Sequence, residues 1–156
     1  MLSHLFDEEE AAIENKYMAM SSLIYALDHA SSESDKICLI ETLGHSERYR
    51  ANASVFENLY SSSPDIRHAA VIALGRLRQT SSLKALQKVI EEDSPTLSAD
   101  AMLSAEQIQK GAGISYWKQR MTTLSRKQRN TFEQALSSAE KGRPLIHRAQ
   151  TAPSNK

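Results

Sequence analysis

The side chains that invite a chemical reading lie in three places. His4 stands beside the acidic run Asp7-Glu8-Glu9-Glu10, and a histidine near carboxylates is raw material for a metal site. Cys38 is the single thiol, and His4, His29, His45 and His147 are the bases that would have to activate it as a nucleophile. Lys118, Arg120, Arg126, Lys127 and Arg129, with Tyr116 and Trp117 nearby, form a cationic, aromatic segment of the kind that neutralises phosphates and stacks on bases.

Each of these also has an ordinary structural reading. A helix N-terminus exposes unpaired N–H groups that favour acidic side chains, so Asp7 to Glu10 fits the start of a helix without a metal. No histidine stands at a defensible nucleophile-base spacing from Cys38. The thiol is flanked by Ile37, Leu39 and Ile40 and is expected to be buried and inert. Trp117 shares helical spacing with Met121 and Leu124 and is expected in a core. The chemistry-bearing residues therefore assign no catalytic group, no metal and no cofactor, and the elements that carry them become the better guide.

With 156 residues, 40% of them hydrophobic and 24% charged, the chain is sized for one domain with a real core. It is poor in glycine and aromatics and rich in serine, a mix that leans helical. The N-terminus lacks the basic start and long apolar core of a secretory signal. The longest apolar run, Ala69 to Leu74, is far short of the ~20 residues of a membrane span. A soluble protein in a reducing cytoplasm is the expectation. The formal net charge of zero hides a gradient: residues 1–109 hold 17 acidic and 9 basic side chains, and residues 110–156 hold 2 acidic and 10 basic. Such a split marks a basic end that meets an acidic partner, nucleic acid, or the acidic body of the same or a neighbouring copy.

The strongest pattern is a repeat. Ser63 to Leu77 and Ser94 to Ile108 align at a period of thirty-one residues, with Pro64 and Pro95, the apolar positions and the small residues in step. The same step backward from Leu74-Gly75 lands on Leu43-Gly44, which defines a third copy over Ser34 to Gly44. A fixed period of this length marks stacked helical hairpins. Ser34-Asp35, Ser63-Pro64-Asp65 and Ser94-Pro95-Thr96 supply cap residues, with proline tolerated in the first turn. Ile66, Ala70, Leu74 and Leu77 make an apolar stripe beside the small Ala69 and Ala73.

A second helix is predicted in each unit. One spans about Ser46 to Tyr60 with Ala51, Val55, Phe56 and Leu59 inward, and another about Ser81 to Glu92 with Leu83, Leu86, Val89 and Ile90 inward. Residues 1–29 read as an earlier hairpin with a short acidic first helix, its Leu23, Ile24 and Leu27 matching Val55, Phe56 and Leu59. Beyond Ile108 the pattern breaks at Gly111-Ala112-Gly113, and Ile114 to about Glu140 reads as one or two cap helices with Tyr116, Trp117, Met121, Leu124, Phe132 and Leu136 apolar. The expected organisation is helical repeats over 1–110, a helical cap over 111–141 and a flexible tail over 142–156.

The string Arg67-x-x-Ala70-x-x-Ala73-Leu74-Gly75, preceded by Pro64-Asp65, resembles the core signature of HEAT-like repeats, specifically the short form of phycobilisome-lyase-type bacterial proteins. The likeness covers roughly residues 31–108. Lys36-x-x-Leu39-x-x-Thr42-Leu43-Gly44 keeps the basic residue and Leu-Gly, whereas Ser98-x-x-Ala101-x-x-Ser104-Ala105-Glu106 has lost both. The resemblance implies an all-α, right-handed α-α superhelix of about three helical hairpins plus C-terminal cap helices. Second helices would line its concave side, and Asp65 and Arg67 would form a structural ladder between units.

A metal-dependent hydroxylase of this repeat type binds iron through His-Glu pairs in first helices. Here the dipeptide is His68-Ala69, and no His-Glu pair occurs in the chain. Bilin lyases and isomerases that share the repeat are longer and often work with a second subunit. DNA-alkylation glycosylases with HEAT-like stacks have a concave face that is basic throughout, unlike the acidic first two-thirds of this chain.

The expectation is therefore a non-catalytic protein-interaction module, an adaptor, scaffold or immunity-type binder in a bacterial cytoplasm, whose partner is another protein or a second copy. Nucleic-acid binding through the basic segment and a lyase-type accessory or chaperone subunit are the alternatives. The expected contact residues are Arg50, Glu57, Lys84, Gln87, Lys88 and Glu91 on the second helices and Arg126, Lys127 and Arg129 at the basic end.

Overall fold

The computed structural model describes residues 2–92 and 94–123, together with 129, 133, 136, 137, 140 and 141. Among them are seven α-helices and no strand: α1 (Leu2–His29), α2 (Glu33–His45), α3 (Asn52–Glu57), α4 (Pro64–Leu77), α5 (Leu83–Glu92), α6 (Pro95–Ile108) and α7 (Ile114–Met121). The period seen in the residues is the period of the fold. Ser32, Ser63 and Ser94 are the N-caps of α2, α4 and α6. Their hydroxyls accept from the amides of Asp35, Ile66 and Leu97 at 3.4, 3.3 and 3.4 Å. Each cap satisfies a first-turn donor that a helix cannot pair internally, worth about 1 kcal/mol.

The ends of the first helices repeat as well. Glu47 and Arg78 both take the left-handed conformation, at φ 53° and 52°, and turn the chain after α2 and α4. Single 3₁₀ turns over Tyr49–Ala51 and Thr80–Ser82 then lead into α3 and α5. The helix expected over Ser46 to Tyr60 is thus shorter: α3 lies between that turn and a second 3₁₀ turn over Asn58–Tyr60.

The first helices α2, α4 and α6 pack side by side in one layer, and α3 and α5 pack against that layer. The stripe Ile66, Ala69, Ala70, Ala73, Leu74 and Leu77 is buried as the pattern predicts. Inward positions of the second helices align across units: Val55, Leu86 and Trp117 are all fully buried. That alignment extends the repeat past the glycines that broke the sequence pattern. Helices α3, α5 and α7 begin at Asn52, Leu83 and Ile114, thirty-one residues apart each time, so α7 takes the second-helix place of a third unit. The result is a solenoid of stacked helical hairpins.

Glycine sets the spacing of the first layer. A Cβ on Gly44 would sit 2.7 Å from the Ala73 Cβ and 2.8 Å from its Cα, and one on Gly75 would sit 2.8 Å from the Ser104 Cβ. Neither glycine ends its helix; each lets the next first helix approach.

Three further expectations fail. Ser32, not Ser34-Asp35, caps α2: it lies thirty-one residues before Ser63, and Ser34 and Asp35 fall inside the first turn. The hairpin expected over 1–29 is instead one helix from Leu2 to His29, because no glycine, proline or turn sequence interrupts it before Ala30-Ser31-Ser32. Cys38 is exposed, not buried. Its apolar sequence neighbours misled: α2 buries Ile40, Leu43 and Gly44, and Cys38 lies two residues before Ile40, roughly 200° around the helix. The tail over 142–156, Leu124 and Phe132 lie outside the described residues.

Candidate functional site

The second-helix row comes from α3, α5 and α7, each of which buries one edge and leaves the other in water. On α5, Leu86 and Ile90 are buried, Leu83 and Val89 are half-buried, and Lys84, Lys88 and Glu91 are exposed, with Gln87 partly so. This is the amphipathic pattern of a helix laid on a core.

A cavity of about 640 Å³ opens between the start of α5 and the loop before α7. Thr80, Leu83, Lys84 and Gln87 line one side of it, and Lys110 and Tyr116 the other. It holds two ammonium groups beside an apolar and an aromatic side chain, which suits an acidic, partly apolar ligand. Lys84 and Gln87, both expected contact residues, share this cavity. Lys110 and Tyr116 belong to it but were not expected there, because the cavity exists only once α7 is seen as the neighbour of α5.

Glu106 holds the turn that forms the far wall. Its carboxylate accepts from the amides of Gly111 at 2.8 Å, Gly113 at 3.2 Å and Ile114 at 3.3 Å, which fixes the turn between α6 and α7. Three amides on one carboxylate are charge-assisted bonds, and the last also meets the positive end of α7. A Cβ on Gly113 would overlap the Met102 carbonyl oxygen. The position where the third unit departs from Leu-Gly is therefore the one that clamps its loop.

The remaining expected residues are more dispersed. Glu91 pairs with Arg120 of α7 at 3.3 Å, a tie between two second helices. The Arg50 guanidinium lies 5.2 Å from the centre of the Tyr17 ring, against α1. Glu57 is exposed on α3. Arg129 is exposed, and Arg126 and Lys127 lie outside the described residues.

Arg67 donates from Nη1 to the Ser61 carbonyl at 3.0 Å, and Asp65 is exposed. Other polar groups link successive units: the Ser63 hydroxyl donates to Glu33 at 2.7 Å, the Ser82 hydroxyl donates to Asn52 at 3.0 Å, and Arg76 lies 3.4 Å from His45.

His68 is a packing histidine. Its Nδ1 lies 3.0 Å from Oδ2 of Asp100, a carboxylate only 2% exposed on α6, although the alignment is not that of a hydrogen bond. Among the described residues no three His, Cys, Asp or Glu side chains come together as metal ligands. Trp117 is fully buried, and Lys118 is ion-paired with Glu140. Among the described residues no helix is long and apolar enough to cross a membrane.

The family model for HEAT repeats matches residues 20–105. That span begins where α1 turns buried, at Met20, and runs through the buried part of α6. No curated protein and no solved structure gave a match. The chain belongs to the HEAT repeat family.

Proposed function

We propose that this HEAT repeat chain is a non-catalytic protein-interaction module, an adaptor, scaffold or immunity-type binder working in the cytoplasm. The observation that carries this reading is the cavity between α5 and the loop before α7, where Lys84 and Gln87 meet Lys110 and Tyr116. HEAT repeats commonly mediate protein contacts, and an irregular cavity rimmed by ammonium groups on a rigid stack suits an acidic protein surface. The contact row takes in Arg50, Glu57, Lys84, Gln87, Lys88 and Glu91, with the basic segment at Arg126, Lys127 and Arg129 as a second contact. An Asp65–Arg67 ladder between units belongs to the same proposal as a brace for that row.

Nucleic acid is the weaker ligand. The buried Trp117 offers no face to a base, and Lys118 and Arg120 already meet Glu140 and Glu91.

The test is affinity capture from the native host with mass spectrometry, repeated with Lys84→Glu/Lys88→Glu. These exposed side chains can be reversed without disturbing the core. A partner captured by the wild type and lost from the variant, with the circular dichroism melt unchanged, supports the reading. A partner retained at wild-type level puts the contact elsewhere.

A further inference from the structure

We propose that the chain associates head to tail with a second copy of itself, an exposed stripe of α1 from one copy entering the cavity between α5 and α7 of the next. The inference rests on the reading of that cavity as a contact surface and names its occupant.

Helix α1 is far longer than its neighbours require. Its 28 residues span roughly 42 Å, against roughly 20 Å for the 13 residues of α2. Its burial begins at Met20 and continues through Leu27, while residues 8–19 are exposed throughout. Those residues also precede the family match, so they extend the repeat fold and are not part of its core.

The overhang is patterned. Glu10, Glu14, Met18, Ser21 and Tyr25 follow one another at helical spacing along one side of α1, and all are exposed. This side is separate from the inward one marked by Met20, Leu23, Ile24 and Leu27. Met18 is 70% and Tyr25 65% exposed. A helix face turned to water is ordinarily polar, yet this one shows large apolar side chains behind two carboxylates. A helix with such anchors is built to lie in a groove.

The cavity at the far end of the stack matches it group for group. Lys84 and Lys110 have no acidic partner among the described residues, and Leu83 and Tyr116 stand beside them. Glu10 and Glu14 are opposite in charge to the two ammonium groups; Met18 and Tyr25 supply apolar side chains for the wall. The choice of a second copy follows from charge. A molecule of net charge zero holds 17 acidic against 9 basic side chains before residue 110 and 2 against 10 after it, so one copy's acidic end complements the next copy's basic end. Stripe and cavity lie on different units, so the contact is heterologous and leaves a free stripe and a free cavity on every pair. It therefore grows into short filaments or closes into a ring.

Sedimentation velocity on the full chain at low salt tests this with two variants altered only at exposed positions: Glu10→Gln/Glu14→Gln/Met18→Gln in the stripe and Lys84→Gln/Lys110→Gln in the cavity. The wild type should grow beyond a dimer as concentration rises and dissociate as salt is added. Each variant alone should be monomeric, its contact weakened about tenfold or more. An equimolar mixture of the two should give a dimer that does not grow, because one variant keeps its cavity and the other its stripe. A monomeric wild type, a stripe variant that still assembles, or a mixture that stays monomeric while both proteins keep the wild-type melt would each overturn the proposal. A monomeric wild type that still captures a host protein through the cavity sinks self-association alone and leaves the contact surface standing.

Discussion

His68 and Asp100 join two units through a carboxylate withdrawn from water. Asp100 is 2% exposed and His68 19%, and the 3.0 Å separation brings an imidazole nitrogen to an oxygen that accepts no hydrogen bond. Removing the imidazole takes a polar ring away from this withdrawn carboxylate, so His68→Ala should lower stability by about 1 kcal/mol in urea unfolding. The same change made in an Asp100→Ala background should cost less, because the carboxylate the ring lies against is gone; equal costs in both backgrounds would show that the two side chains are not coupled. Cys38 belongs to the same scale. Its thiol faces water on α2, so a thiol reagent should label it in the folded protein at close to the rate in denaturant. Slow labelling that speeds up only on unfolding would return it to the core. Sequence misplaced this residue for a simple reason: flanking Ile37 and Leu39 are neighbours along the chain, whereas burial on a helix is decided three and four residues away.

At the scale of elements, the hairpins are held at their spacing by what is missing. Alanine is the better helix former by about 1 kcal/mol, so propensity alone favours Gly44→Ala. Against that, the new Cβ would lie 2.8 Å from the Cα of Ala73, backbone that cannot rotate aside. Overpacking costs about 1–3 kcal/mol and should win, giving a net loss in thermal melts. Gly75→Ala should cost less, since one of its close contacts is the movable end of Gln107. A Gly44→Ala protein as stable as the wild type would mean that the first layer relaxes easily.

Glu106 acts at the same level, as the clamp of the α6–α7 turn. Glu106→Gln replaces a carboxylate that accepts from three amides with an amide whose NH₂ would face a donor. Loosening of that turn should appear as faster hydrogen exchange at Gly111, Gly113 and Ile114, with α2 and α4 unaffected. These elements were readable in part. Cap serines, apolar stripes and the period announced the hairpins, because local chemistry repeats there. The third second-helix was hidden because its inward position is filled by Trp117 where the other units use Val55 and Leu86, and because Gly111 and Gly113 imitate a domain break. The cavity was unreadable for the same cause: Lys110 and Tyr116 meet Lys84 and Gln87 only across the hairpins.

For the whole molecule, stability should follow position along the stack. In a solenoid each unit contacts only its neighbours, so a helix with two neighbours is held more firmly than one at an end. Helix α4 lies between α2 and α6, with Ala70, Val71 and Leu74 fully buried, and its amides should open only with global unfolding. Helix α1 divides instead. Its amides from about Met20 onward share the protection of the first unit, whereas those of residues 8–16, which are exposed and precede the Arg50–Tyr17 contact, are held mainly by helix propensity and should exchange orders of magnitude faster in the monomer. Raising the protein concentration separates the two ends of this prediction. If the overhang docks on another copy, residues 8–19 and the cavity around Lys84, Lys110 and Tyr116 should become protected together, while α4 stays as it was. Protection of the overhang without the cavity would point to an α1–α1 contact, and a charge gradient that merely keeps the chain soluble would leave both unchanged at every concentration.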